Sequence, residues 1–422
     1  AKLFTGSGGL ITIGASVAVA YGRSKSLAEI NAASVDVTGG NIKVGSYGTA
    51  GVLSEIKHIS LSLASVTANV MVGVAYSQAT FAAALNIPQG STVTAASVDI
   101  ETEYTTSAKA DVTPSAGGVQ TSLATIGVNL ALANASSNAS ALLNGKGTLT
   151  AGSVKVNADG TATAHALTRT PGFSVNIANI AANTVVALLS ASQKAGIEGV
   201  TIYTSGGNVE VQSTLNNGEK EGATAELGGN FASIPGVDLS QYSVDVNTAV
   251  ARCNAANYAY IKGAVIGSAN NRAGNVSVLT DGNSYANAKI EDSAISVGLI
   301  SIGLTTLYAD ASGDFKAYID TTGGSIYAAS ILVENTYTSK ANAETTQAAG
   351  GVTVEVVGIE GNIANSNVTT NAEAAIKGNG NISTTGTIQV SANGIADALS
   401  GVMTPTVSLS GIKIAANILT SR

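Results

Sequence analysis

Few residues in this chain are spaced for chemistry, and the best acidic group is "DIETE", where Asp99, Glu101 and Glu103 alternate along one face of a strand. Hard carboxylate oxygens are the ligands calcium prefers, so this triplet is the candidate metal site. The bland alternative is a wet strand face on which three like charges repel. The matching positions of the other repeats carry Lys155, Glu210, Ser277, Leu332 and Gln389, so a metal site repeated along the chain is not expected. The only histidines, His58 and His165, have no ligand partner at zinc spacing, and no phosphate loop, nucleophile elbow or HExxH pattern occurs. Cys253 is the single cysteine and reads as an inert small residue. No catalytic residue and no cofactor is expected.

Recognition has a better sequence basis than catalysis. "LNNGEKEGATAELGGNFASIPG", Leu215 to Gly236, lengthens one repeat and combines Glu219, Lys220, Glu221 and Glu226 with Gly and Pro. It predicts an inserted surface loop over residues 212–237, the place where recognition usually accumulates. The following "NYAYIKGAVIGSANNRAG" adds Tyr258, Tyr260, Lys262 and Arg272, the best concentration of aromatic and cationic side chains in the chain. A mere variation in length without a ligand is the plainer alternative.

The elements that must position these residues follow from a repeat. One anchor is "SVDV" at Ser34, echoed at Ser97, Ser153, Asn208, Asn275, Ser330 and Thr387; the other holds Asn69, Asn129, Asn183, Asn247, Asn362 and Asn417, with Ser16 and Thr305 in place of Asn. Successive spacings in the second series are 53, 60, 54, 64, 58, 57 and 55 residues. Strand-like alternation, as in "LATIGVNLALANASSNASALL", together with Gly-rich turns at "GKG", "GNG" and "TTGG", predicts several strands per period. The fold expected is an all-β parallel β-helix or β-solenoid of about 55-residue repeats running continuously over residues 1–422; the alternative is a tandem array of antiparallel β-sandwiches. Stacking would put equivalent residues about 4.8 Å apart. Valine and isoleucine ladders would fill the interior, and the asparagines would form a structural ladder, since an amide both donates and accepts.

Composition agrees with thin stacked layers: 45% apolar residues but no Trp, 5 Phe and 48 Gly. The net charge of −7, thinly spread, offers no field for phosphates, so nucleic acid is not an expected partner. The opening "AKLFTGSGGLITIGASVAVA" imitates a secretion signal but reads as the first repeat, and no stretch is apolar enough for membrane insertion as a helix. Both ends stop inside the pattern without polar caps, which predicts a segment of a longer fibre that self-associates through its ends.

"AGGVQTSLATIGVNLALANASSNASALLNGKGTLTAGSVKVNADGTATAHA" and "AGGVTVEVVGIEGNIANSNVTTNAEAAIKGNGNISTTGTIQVSANGIADA" resemble the repeated units of large bacterial filamentous surface adhesins of the filamentous-haemagglutinin and leukotoxin type. The resemblance implies right-handed parallel β-helix character and an extracellular, cell-surface fibre used for attachment to a host-cell or matrix surface, or for matrix building. It carries over no catalytic residue. A fibre subunit without a receptor is one alternative, and a polysaccharide-active β-helix enzyme is another.

Overall fold

Alternating chains with small residues every second position can stack only if each layer repeats the last. A computed structural model describes residues 1–7, 11–31, 34–60, 66–113, 119–169, 173–217, 222–228, 237–292, 295–347, 352–402 and 407–422. In chain order its strands begin Lys2–Ser7 (β1), Ile11–Asn31 (β2), Ser34–Ser60 (β3), Val66–Ile87 (β4), Thr92–Thr113 (β5), Val119–Gly145 (β6) and Thr148–Ala151 (β7). They continue Val154–Thr168 (β8), Phe173–Glu198 (β9), Thr201–Tyr203 (β10), Val209–Leu215 (β11), Ala223–Leu227 (β12), Val237–Lys262 (β13) and Val265–Ile266 (β14). The last are Ala273–Asp292 (β15), Ile295–Asp320 (β16), Ser325–Gln347 (β17), Val352–Lys377 (β18), Asn381–Thr384 (β19), Ile388–Val402 (β20) and Val407–Ser421 (β21).

The chain passes back and forth between two sheets. The eight-stranded sheet stacks β2, β4, β6, β9, β13, β16, β18 and β21, and the intervening strands form a thirteen-stranded sheet. Every pairing among the described residues is parallel, which removes the antiparallel-sandwich alternative and leaves a β-solenoid-like, all-β architecture.

Turns on one side close through residues with room for unusual backbone. Gly323 and Gly378 sit at φ +78° and +101°, where an L side chain would be strained. Beside these turns the interior is aliphatic from both sheets. Ile30, Leu85, Leu143, Ile197, Ile261, Ile319 and Ile376 stack in one column, facing Val44, Ile100, Val156, Val211, Val278, Val333 and Val390 of the other sheet. The second of these columns is the "SVDV"-type anchor, with one correction. Ser97 pairs with Asn41, not Ser34, because a register irregularity between Val37 and Asn41 makes "NIKV" the first copy.

Away from the turns the interior shrinks. Ala28, Ala83, Ala141, Ala195, Ala259, Ala317 and Ala374 form an all-alanine column, and Ala108, Ala164, Ala223, Ala286, Ala341 and Ala398 form another in the opposite sheet. Phe81 and Phe315 are the large exceptions. Each stacks on a tyrosine of the other sheet, Tyr104 at 5.3 Å and Tyr337 at 5.9 Å between ring centroids, and each lies over a glycine, Gly48 or Gly282. Branched side chains such as Val112, Val185, Ile290 and Leu307 are buried among these alanines. Toward the starts of the strands of the eight-stranded sheet, however, the expectation that valine and isoleucine fill the interior fails. In β6, Thr125, Asn129, Ala131 and Ala133 are buried, while Ile126 and Val128 are exposed.

The segment 212–237, expected as one inserted loop, is a correction too. Residues up to Leu215 pair with Gly160 and Gly282, and β12 re-enters the sheet between β8 and β15. Seven residues, 216–222, stand where the preceding layer has three, 161–163. Leu215, Ala223 and Leu227 are core residues, so apolar burial holds residues 212–215 and 223–227 in the sheet, while 218–221 and 229–236 lie outside the described residues.

This inside-out packing sets an expected order of mutational costs. Ala195→Leu, into the fully buried alanine column, should cost about 1–3 kcal/mol by overpacking. Ile180→Thr, on the outer face, should change the stability of dilute protein by no more than about 0.5 kcal/mol. Denaturant unfolding of both variants measures the order, and the opposite order would mean that the faces are assigned the wrong way round.

Candidate functional site

The outer face of the eight-stranded sheet has two halves of different chemistry. Along the first half, Ile13, Ala68, Ile126, Ile180, Val244, Ile302, Ile359 and Ile414 stack in register. The neighbouring column is Ala15, Val70, Val128, Ala182, Val246, Leu304, Gly361 and Ala416. Mid-sheet members remain well exposed, with Ile126 at 46% and Ile180 at 48%. A bulge widens the strip: Ser240 and Ser243 are both buried, while Gln241 and Tyr242 between them both face out. The register skips at the corresponding Ile177, Leu299 and Val356, so most layers add an apolar side chain there.

Beneath this strip the interior is polar. Asn129 Nδ2 donates to Asn183 Oδ1 at 2.7 Å, Asn183 Nδ2 to Asn247 Oδ1 at 3.0 Å, and Asn362 Nδ2 to Asn417 Oδ1 at 3.0 Å. Thr305 stands in the column between Asn247 and Asn362, and Ser16 heads it. Asn69 does not belong to it. Met71 pairs with both Ser16 and Asn129, whereas Asn69 pairs with Gly14 and Gly127, which makes the first two spacings 55 and 58 residues. Facing Met71 rather than an amide, the buried Asn129 Oδ1 has no hydrogen-bond partner. Other buried polar pairs share this layer: Thr125 donates to Asn176 Oδ1 at 3.2 Å, and Ser410 donates to the buried Glu355 at 3.1 Å.

The second half of the outer face is aromatic and charged. Tyr258 and Tyr260 lie on it together, and Lys262 stacks between Glu198 and Asp320 in a column that continues to Lys377. The Tyr258 hydroxyl donates to Asp314, and that of Tyr260 to Glu198 at 2.6 Å. Tyr260 stacks on Tyr318 at 5.4 Å, Lys377 sits 4.3 Å over the Tyr318 ring, and Arg252 lies 5.0 Å over Tyr308. Gly196 makes this possible, since a Cβ there would sit 2.5 Å from the Tyr260 ring. Burial, and then the hydrogen bond to a carboxylate, push the Tyr258 and Tyr260 hydroxyls above the ordinary tyrosine range. Glu198, Asp314, Lys316, Tyr318 and Lys377 are the members that the sequence reading missed. Only the residue-by-residue register between layers could have found them.

The remaining expected site residues are dispersed. Arg272 is not with the tyrosines: its guanidinium lies 5.8 Å over Tyr327 and donates to the Ser383 carbonyl at 2.7 Å, which reaches across the Tyr327 layer to the next one in the other sheet. Glu226 lies in β12, 3.3 Å from His165 Nε2, and that contact lowers its pKa. Glu219, Lys220 and Glu221 lie outside the described residues.

Asp99, Glu101 and Glu103 do share an outer face, but of the thirteen-stranded sheet; cations lie close to the first two, while Glu103 stands in register between Tyr47 and Asp159. Glu101 meets Lys43 Nζ at 2.9 Å and accepts from the Tyr47 hydroxyl at 2.8 Å, while Asp99 pairs in register with Lys43 and Lys155. Lys43, then Tyr47, holds the Glu101 carboxyl below its usual range. Among the described residues no group of three or more His, Cys, Asp or Glu side chains is arranged to hold a metal ion. Cys253 is buried, and burial raises its thiol pKa. His58 is buried with Nδ1 2.9 Å from Thr5 Oγ1, and burial lowers its pKa.

Compared with known protein families, curated proteins and solved structures, the chain matches none. Among the described residues no helix is long and apolar enough to cross a membrane.

Tyr258 and Tyr260 hold their protons past the ordinary tyrosine value of about 10, so the unfolded chain releases them first. Stability should therefore fall as pH rises through that value. The melting temperature should drop more steeply there for the wild type than for Y258F/Y260F, and absorbance titration should show these two phenols, with the buried Tyr104, ionising after the exposed tyrosines. Ionisation together with the exposed tyrosines would refute the assignment.

Proposed function

We propose that this chain is a non-catalytic structural and adhesive segment of a secreted bacterial cell-surface filament, built as a right-handed β-solenoid with coils of about 55 residues. The observation that carries this reading is the outer face of the eight-stranded sheet, on which one class of side chain repeats from layer to layer. Such a face makes many equivalent weak contacts along the stacking axis, which suits attachment to a host-cell or matrix surface. Glycosidases instead bring two carboxylates together across one bond, and here Glu101, Glu226 and Glu373 lie beside lysine or histidine. The resemblance of the repeats to filamentous adhesins supports the same reading.

Self-association along the stacking axis is the companion role. Among the described residues β2 and β21 are the outermost strands of the eight-stranded sheet, pairing with β4 and β18, and a parallel edge of this kind can template another layer. A neighbouring fibre segment or a second copy would meet that edge.

Beads coated with the purified chain should attach to host cells or extracellular matrix, and the chain should release no reducing ends from bacterial or host polysaccharides. Release of sugar ends abolished by a single carboxylate-to-amide change would overturn the reading in favour of an enzyme, and beads that attach no better than albumin-coated ones would overturn the adhesive part.

A further inference from the structure

A long strip of branched side chains facing water is a surface without its partner. We infer that the aliphatic half of the outer face packs against the same half of a second copy of this chain, pairing two solenoids laterally, face to face. This surface is separate from the open strand edges and does not depend on whether the filament adheres to anything.

The strip has the size and regularity of an interface. Four alternating outward positions, Tyr242 to Thr248 in β13, repeated over eight strands, cover about 1,000 Å² from a 3.3 Å rise and 4.8 Å strand spacing. An exposed apolar patch on a monomer rarely exceeds about 300–600 Å², whereas a stable interface needs about 800 Å² from each partner. The strip also carries no charge: outward from Leu239 to Val250 in β13 the side chains are apolar apart from Gln241 and Thr248, and charge resumes only at Arg252.

Shape selects the partner. Both copies would present ridges at the same strand spacing, so columns such as the one through Ile180 and Ile302 can seat between those of the other copy, as in two stacked sheets. A two-fold arrangement satisfies both copies at once with the same residues. A lipid surface fits less well. The chain carries a net charge of −7 and the strip contains no Lys or Arg to draw it to anionic headgroups.

The test uses the whole chain and compares it with I180K/I302E, which places one charge of each sign in the strip, and with N254K on the polar half as a control. Sedimentation and small-angle scattering should show a concentration-dependent wild-type dimer that is thickened across the sheets rather than lengthened along the stacking axis. I180K/I302E should dimerise roughly tenfold or more weakly with an unchanged β-type circular dichroism spectrum, and N254K should match the wild type. If the double charge perturbs that spectrum, V244T/I359T takes its place with the same expected direction. Equal dimerisation of wild type and strip variants would overturn the inference, as would association only end to end. A wild type that stays monomeric yet floats with phosphatidylcholine vesicles would also overturn it, in favour of a lipid surface.

Discussion

The constraint on which everything else depends is the parallel, in-register ladder. Each backbone position meets the same position of the next layer about 4.8 Å away, so a side chain's nearest neighbours are its own counterparts. Any residue type that tolerates its own kind can propagate. Alanine propagates without limit, as the column from Ala28 to Ala374 demonstrates, and asparagine propagates by donating to the next amide's oxygen. Carboxylates do not, and the structure handles them by alternation, as in Glu198, Lys262, Asp320 and Lys377.

The same ladder explains the distribution of volume. Where strands approach the turns, large aliphatic columns from both sheets meet and make the densest apolar core. Further along, alanine meets alanine, with bulk supplied by branched residues such as Val185 and Leu307 and by the plugs Phe81 and Phe315, each answered by a glycine across the interior. Further still, the interior becomes amides and hydroxyls that bond from layer to layer, except where Met71 faces Asn129, while the branched side chains are turned to solvent. Polarity therefore runs in opposite senses at the two ends of a single strand. That reversal creates the aliphatic strip.

In the proposed adhesive role, the working parts are the repeated outer surfaces. The tyrosine and charge columns hold their side chains in fixed geometry through cross-layer bonds such as Tyr260 to Glu198, so the face is rigid before anything binds. Rigid, repeated contacts lose little conformational entropy on association, which is how individually weak contacts add to firm attachment.

Strand content, the turns, the absence of a nucleophile motif and the presence of a stacked asparagine series were all legible in the sequence, because each depends on local alternation or on a spacing counted along the chain. Asn129, Asn183, Asn247, Asn362 and Asn417 were aligned correctly for that reason, and Ser16 and Thr305 stand among them as a hydroxyl can. Three things were decided only by tertiary structure. Asn69 lost its place to Met71, two residues away, because a slip of two keeps the same face inward and alternation cannot detect it. Leu215, Ala223 and Leu227 were drawn back into the sheet because their burial needs a neighbouring layer that local composition does not reveal. Most consequentially, alternation separates Ile126 and Val128 from Thr125 and Asn129 but does not say which pair faces in. That choice is made by partners far along the chain, the amide of the next layer for Asn129 and Asn176 for Thr125, which no local pattern shows.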